Sequence, residues 1–235
     1  MTGMRRIREI AEHSVYVPGL QSGVVLDVGA NKGRFGDAIT ELFPVRVISV
    51  EANPSLANLL RHRATQVIEC ALGARDGPEL FNVGYNDEAS SIRTPQGPNG
   101  HLVVRQTVHV AMKTLKTLLV EQDVSRLACI KLDIEGAEID VLMSLGIFAR
   151  EIAAQWTVEF HDEPEYQLCN AVDVDAAIAA MKSVGFSVIV RNWPIRTNVL
   201  FLNRDALAIG LLEWVALKVR YQYLAVVWRK LLGMR

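Results

Sequence analysis

Apolar runs of strand length alternate with stretches of helical period through most of the chain, and turn residues mark the junctions. Residues 24–28 form a β-branched run, and a helical pattern follows from Gly33 to Phe43, stopped by Pro44. Residues 46–50 repeat the run. Asn53 then stands as a cap, with Pro54 in the first turn of a helix that reaches about Arg63. A third run, 66–70, closes this half. The alternation breaks over 73–112, where Gly73, Gly77, Gly84, Gly97 and Gly100, with Pro78, Pro95 and Pro98, surround strand-like stretches at 80–83 and 102–110. An insertion of that size in an α/β domain reads as a lid or a functional edge. Alternation resumes with a helix at 114–121, a strand at 128–133, a helix at 137–145, a strand at 155–160 and a helix at 173–183 ended by Gly185. Strands at 186–190 and 198–202 follow. Six strands alternating with helices and then a closing hairpin predict a doubly wound, mostly parallel sheet. The chain divides into a helical lead-in (1–21, helix at 4–13), a main domain (22–204) and a C-terminal helix (205–235).

Composition narrows the class. The 235 residues suit one domain of the larger kind, and half of them are apolar, enough to cover a sheet on both faces. A net charge of −1 offers no general attraction to nucleic acid. Cys70, Cys129 and Cys169 match no zinc spacing and are odd in number, which points to reduced thiols and a cytoplasmic location. Arg5, Arg6 and Arg8 near the start precede no apolar segment of the signal-peptide kind, and no run is long enough to span a bilayer.

The chemistry concentrates at strand ends. The first run ends in Asp27 and crosses a turn of Gly29, Ala30, Asn31 and Gly33; the second ends in Glu51, 22 positions after Gly29, followed by Ala52 and Asn53. In a βαβ unit this spacing places a glycine-bearing turn against a nucleoside and a carboxylate on its ribose hydroxyls. A diphosphate site needs G-x-G-x-x-G, whereas this pattern is D-x-G-x-x-x-G. Asp27 in the turn would repel a diphosphate and suits the cationic amino-acid end of S-adenosylmethionine. Cys70 and Ala71 end the third run, where many methyltransferases place an acid for the adenine amine; apolar and backbone contact is expected instead.

The strand at 128–133 ends in Asp133, with Glu135 and Glu138 close behind around Gly136. Carboxylates so crowded repel one another, which points to work on a ligand, although helix capping by Asp133 and Glu135 is the plainer account. Glu159, His161 and Asp162 end the next strand. His161 is the first choice of general base, since an imidazole of ordinary pKa near ~6.5 is largely neutral at pH 7; Asp133 is the second, and Glu135 shapes the same corner. His13, His62, His101 and His109 have no such context. The acids and His161 match no specific metal spacing, so no metal is expected.

Four blocks in order carry a resemblance: Leu26-Asp27-Val28-Gly29-Ala30-Asn31-Lys32-Gly33, Val50-Glu51-Ala52-Asn53-Pro54, Ile130-Lys131-Leu132-Asp133-Ile134-Glu135-Gly136-Ala137-Glu138 and Val158-Glu159-Phe160-His161. Over roughly 22–204 the sequence resembles the FkbM family of S-adenosylmethionine-dependent methyltransferases. Ala89-Ser90-Ser91 and the late Asn198–Leu202 strand sit where that family has such elements, whereas Lys32 stands where it often has an apolar residue. The resemblance implies a class I, Rossmann-like methyltransferase fold whose seven-stranded sheet has its last strand antiparallel. It also implies O-methylation of a hydroxyl on a sugar, glycan, glycolipid or polyketide, with 84–112 covering the acceptor. Two other classes stay open: a nicotinamide-dependent enzyme on a related fold, and a catalytically silent partner subunit. The tail beyond 205 lies outside the resemblance. It carries Lys218, Arg220, Arg229, Lys230 and Arg235 against Glu213 alone and is apolar nearly all round. Packing on the domain, homodimerisation or contact with an anionic membrane surface would each explain it.

Overall fold

A computed structural model describes residues 6–63, 66–85, 90–93, 103–161, 168–191 and 197–224. Its first element is a hairpin, β1 (Ile7–Ile10) and β2 (His13–Tyr16), where a helix was expected. Ile7 and Ile10 are spaced as on a helix, but Ala11 and Glu12 take φ of 43° and 72° and close a two-residue turn. Such turns usually advertise themselves with Asn-Gly or Asp-Gly, and this one carries neither. A 3₁₀ turn over Val17–Leu20 leads into the sheet.

The sheet comprises β3 (Val24–Val28), β4 (Arg46–Glu51), β5 (Gln66–Glu69), β9 (Cys129–Leu132), β10 (Gln155–Glu159), β11 (Ser187–Val190) and β12 (Asn198–Leu202). Its order is β11-β12-β10-β9-β3-β4-β5, and β12 runs antiparallel to both its neighbours while the others are parallel. The doubly wound sheet expected from the alternation is therefore present, with the antiparallel last strand that the resemblance implies. Between β5 and β9, β6 (Ala71–Leu72), β7 (Gly77–Gly84) and β8 (Val104–Lys113) form a separate three-stranded sheet, so the insertion is a hairpin as expected.

Period-2 alternation assigns the two faces. Leu26, Ile48, Ile130, Trp156 and Val158 point to one side. There they pack under α3 (Leu115–Glu121), α4 (Glu138–Leu145), α5 (Phe148–Ile152) and α6 (Ala171–Ser183). Val25, Val47 and Cys129 point to the other, beneath α1 (Arg34–Leu42) and the hairpin residues Ile10 and Val15. Side-chain caps open α2 (Pro54–Arg61) at Asn53, α3 at Thr114 and α6 at Asn170.

One row on the hairpin face departs from this apolar rule. Ser49, Asp27, Lys131 and Thr157 lie in register across β4, β3, β9 and β10, all buried. Two positions along the same face of β10 bracket it. Gln155 locks the hairpin down, accepting from the Tyr16 amide at 2.7 Å and donating to its carbonyl at 3.1 Å. Glu159 reaches the hairpin's other end. The tail begins its helix at Leu211: α7 (Leu211–Lys218) passes into a π-helical turn over Val219–Leu224, and 225–235 lie outside the described residues.

Candidate active site

The C-terminal ends of β3, β4, β9 and β10 open onto a cavity of about 410 Å³, at the edge where open parallel sheets take ligands. Gly29 builds its floor. With φ of 75° it brings the turns after β3 and β9 so close that a Cβ would fall 1.7 Å from the Asp133 carbonyl oxygen. The Gly29 and Ala30 amides donate to the Val50 carbonyl at 2.9 and 3.1 Å. Asn31, at φ 51°, donates its amide to Glu51 Oε2 at 2.7 Å, and the Asn53 amide donates to Oε1 at 2.7 Å. Glu51 is thus fixed at the tip of β4, each oxygen keeping a free lone pair. Burial raises its carboxyl pKa, opposed by those two amides. Ala52, Cys70, Ala71, Phe81 and Ile92 make the apolar flank. Burial pushes the Cys70 thiol up to about 11, so it is a neutral, unreactive surface. Ser90 reaches the cavity, while buried Ser91 donates to the Glu135 carbonyl at 2.6 Å and ties the insertion to the turn after β9.

The opposite flank centres on Asp133. Lys131 Nζ lies 3.2 Å from its Oδ2, 3.4 Å from Asp27 Oδ1 and 2.6 Å from the Gly29 carbonyl. An imidazole approaches from each side: His13 Nε2 at 3.6 Å from Oδ2 and His161 Nε2 at 4.0 Å from Oδ1. Each ring has a glutamate of its own, Glu159 at 3.6 Å from His13 and Glu135 at 3.3 Å from His161. Beneath them Glu138 is wholly buried and accepts the Ile134 and Gly136 amides at 2.8 and 3.0 Å.

Burial opposes the charge on Asp133, yet Lys131, His13 and His161 hold its carboxyl well below the usual carboxylate range. Lys131 is likewise kept charged against burial by Asp133 and Asp27. Burial pushes Glu135 up to about 8, and burial with repulsion from Asp133 takes Glu159 to about 7. For His161 burial acts downward, but Glu135, Glu138, Asp133 and Glu159 outweigh it and raise the ring to about 9. The acids around it thus favour the protonated ring over the neutral imidazole expected from the sequence.

Of the residues singled out in the sequence, Gly29, Ala30, Asn31, Glu51, Ala52, Cys70, Ala71, Asp133, Glu135 and His161 line the cavity. Asp27, Gly33 and Asn53 do not. Asp27 shares its face of β3 with Val25, which turns it under α1, where Oδ2 accepts the Gly36 amide at 3.2 Å. It caps that helix and balances Lys131 rather than meeting a ligand. Gly33 is the left-handed N-cap of α1, and Asn53 caps α2 through Ser55. Ala89 and Asp162 lie outside the described residues. His13, dismissed on sequence context, belongs to the cavity, as do Lys131 and Glu159.

The family model for the methyltransferase FkbM domain matches residues 27–188. The chain belongs to the FkbM methyltransferase family. Among solved structures it is similar to fibrillarin from Aeropyrum pernix in complex with natively bound S-adenosyl-L-methionine (12% identity, 85% of this chain and 84% of that one, TM-score 0.45). It is also similar to the plantazolicin methyltransferase BamL with a desmethyl analog and SAH (10%, 85% and 70%, 0.40). A third is an Aquifex aeolicus SAM-dependent methyltransferase (12%, 79% and 84%, 0.38). These likenesses are weak, and the assignment rests on the family match. No curated protein matches the chain.

S-adenosylmethionine is the cofactor of this FkbM methyltransferase, and the residues present fit it. Glu51 offers two acceptor oxygens to a ribose diol. Ala52, Ala71 and Phe81 offer an apolar surface to a base. The carboxylates of Asp133, Glu135 and Glu159 leave the far flank acidic, as a sulfonium and an ammonium require. The same carboxylates are wrong for a dinucleotide diphosphate. Two overlapping sets, His13–Asp133–Glu159 and Asp133–Glu135–His161, each bring ligand-type atoms within 4.8 Å of one another. Asp133 is common to both, and the Lys131 ammonium already supplies a cation beside it.

Proposed function

We propose that this methyltransferase acts on a hydroxyl oxygen of a sugar, glycan, glycolipid or polyketide. The observation that carries the reading is the pair of imidazole–carboxylate couples on either side of Asp133, across the cavity from Glu51. A neutral amine can be methylated without a base poised beside it, whereas a hydroxyl must lose its proton as the new bond forms. The cofactor supplies an electrophilic methyl group. The protein's own tasks are alignment and proton removal.

In this reading Glu51 and the Gly29–Asn31 turn hold the nucleoside, Asp133 orients the acceptor or the amino-acid end, and His161 Nε2 takes the hydroxyl proton. The surrounding carboxylates keep His161 protonated while their charge is uncompensated. Once a cation shares the cavity with Asp133 and Glu135, their pull weakens and Nε2 becomes available as a base. Incubation with methyl-labelled S-adenosylmethionine and extracts of glycolipids, polysaccharides and polyketides tests the assignment. Label in an ether-linked, base-stable position of one of these supports it; label confined to nitrogen, or to protein or nucleic acid controls, rejects it.

A further inference from the structure

Helix α7 and the turn after it present two unlike faces. Inward, Trp214, Leu217 and Tyr221 pack with Ile7, Tyr16 and Leu202. Gln222 is buried and accepts the Val190 amide of edge strand β11 at 3.3 Å. Glu213, the one acid of the segment, is spent on this side, accepting from the Tyr16 hydroxyl at 2.7 Å and pairing with Arg6 at 2.5 Å. Over its described residues the tail thus packs on the domain along this one face.

Outward, Leu212 is 88% exposed, Leu211 66%, Val215 51% and Val219 42%. Leu212, Val215 and Val219 fall at i, i+3 and i+7, a continuous apolar ridge. Lys218 and Arg220 stand on its two flanks by helical geometry, their cationic ends 5.6 Å from the Trp214 and Tyr221 rings. Beyond the described residues the sequence adds Trp228, Arg229, Lys230 and Arg235 and no acid.

We propose that this face docks on an anionic membrane surface, with the ridge in the boundary between headgroups and acyl chains and the cations on lipid phosphates. An apolar ridge edged by cations is the pattern of an interfacial helix. No described helix is long and apolar enough to cross a membrane; an interfacial segment of this kind lies along the surface. A second copy of the chain fits this face poorly. Two-fold pairing of the ridge would gather Lys218 and Arg220 of both copies at one contact, with Glu213 already committed inward.

Flotation of the full chain with phosphatidylcholine vesicles, with and without phosphatidylglycerol, is the test. We expect flotation with the anionic vesicles at low salt, loss of it at high salt, and roughly tenfold weaker partitioning for K218E/R220E. L212E/V219E should abolish flotation while leaving S-adenosylmethionine affinity and the melting temperature as in the parent. A parent that stays in the supernatant overturns the proposal, as does equal flotation with neutral vesicles. A dimer in solution that L212E/V219E splits overturns it in favour of self-association.

Discussion

Replacing Lys131 by Met tests the link between the fold and the site most directly. The side chain is 5% exposed and sits between Asp27, fully buried, and Asp133. At an effective dielectric constant of about 20, unit charges separated by these distances of 3.4 and 3.2 Å attract by roughly 5 kcal/mol per pair. Desolvating the ammonium takes back several of those, leaving a net loss of about 3–5 kcal/mol when the cation alone is removed. Against a total stability of about 5–15 kcal/mol that is a large fraction. Urea denaturation at neutral pH should show it as a lower midpoint with little change in slope. D27N/K131M should recover part of the loss, because one stranded carboxylate disappears with the cation. The pH dependence gives an independent check. Asp133 has a depressed folded pKa, so its contribution is present above the unfolded value and is lost as pH falls. Lys131 is the main cause of that depression, so the variant's deficit should begin to shrink only as pH falls below about 4 and should narrow steadily with further acidification. A variant as stable as the parent at neutral pH, or a deficit that stays constant into acid, would refute the reasoning.

Three further outcomes are expected. Glu51→Gln should weaken S-adenosylmethionine binding by about 1.5–3 kcal/mol in calorimetry; Glu51→Ala should also destabilise the fold by stranding the Asn31 and Asn53 amides, and an unchanged Kd would remove Glu51 from the cofactor site. His161→Ala should lower kcat by ~10²–10⁴-fold with cofactor affinity nearly intact. In the parent, kcat should rise with pH along a limb between ~6.5 and about 9, since a base must first shed its proton. The same limb persisting in the variant would transfer that role to another residue. Without added cofactor, thermal stability should fall as pH rises from about 5 towards 9. Glu159, Glu135 and His161 bind protons more tightly folded, at about 7, 8 and 9, than unfolded, so their contribution is full at low pH and is lost as pH passes those values. Stability flat or rising across that range would contradict the crowding of carboxylates around His161.

The parallel strands were legible because each is a run of β-branched and apolar residues bounded by a turn signal, and the site because carboxylates gather at three strand ends. What escaped has specific causes. The Ala11–Glu12 turn takes a left-handed conformation without the residues that mark one, so β1 and β2 read as a helix and His13 lost its context. Lys131 was visible as the only charge within an apolar central strand, a signal passed over because its partner, Asp27, is adjacent only across the β3–β9 pairing. Asp27 itself was read from its place in the motif, but strand parity decides where it points, and parity puts it under α1. His161 was judged at its ordinary pKa, since the four acids around it converge only in three dimensions.

The hairpin has a bearing on how this enzyme could diverge. Ala11, Glu12 and His13 wall the cavity from a segment that precedes the family-matched region, held there by Gln155 on the Tyr16 backbone and by Ile10 and Val15 packed on the sheet. Such a piece can be exchanged as a cassette: new residues at its tip would re-shape the acceptor's side of the chamber without disturbing a single strand of the sheet. A fragment cut at residue 22 would keep every sheet strand and the whole family-matched stretch while losing one of the two imidazoles beside Asp133.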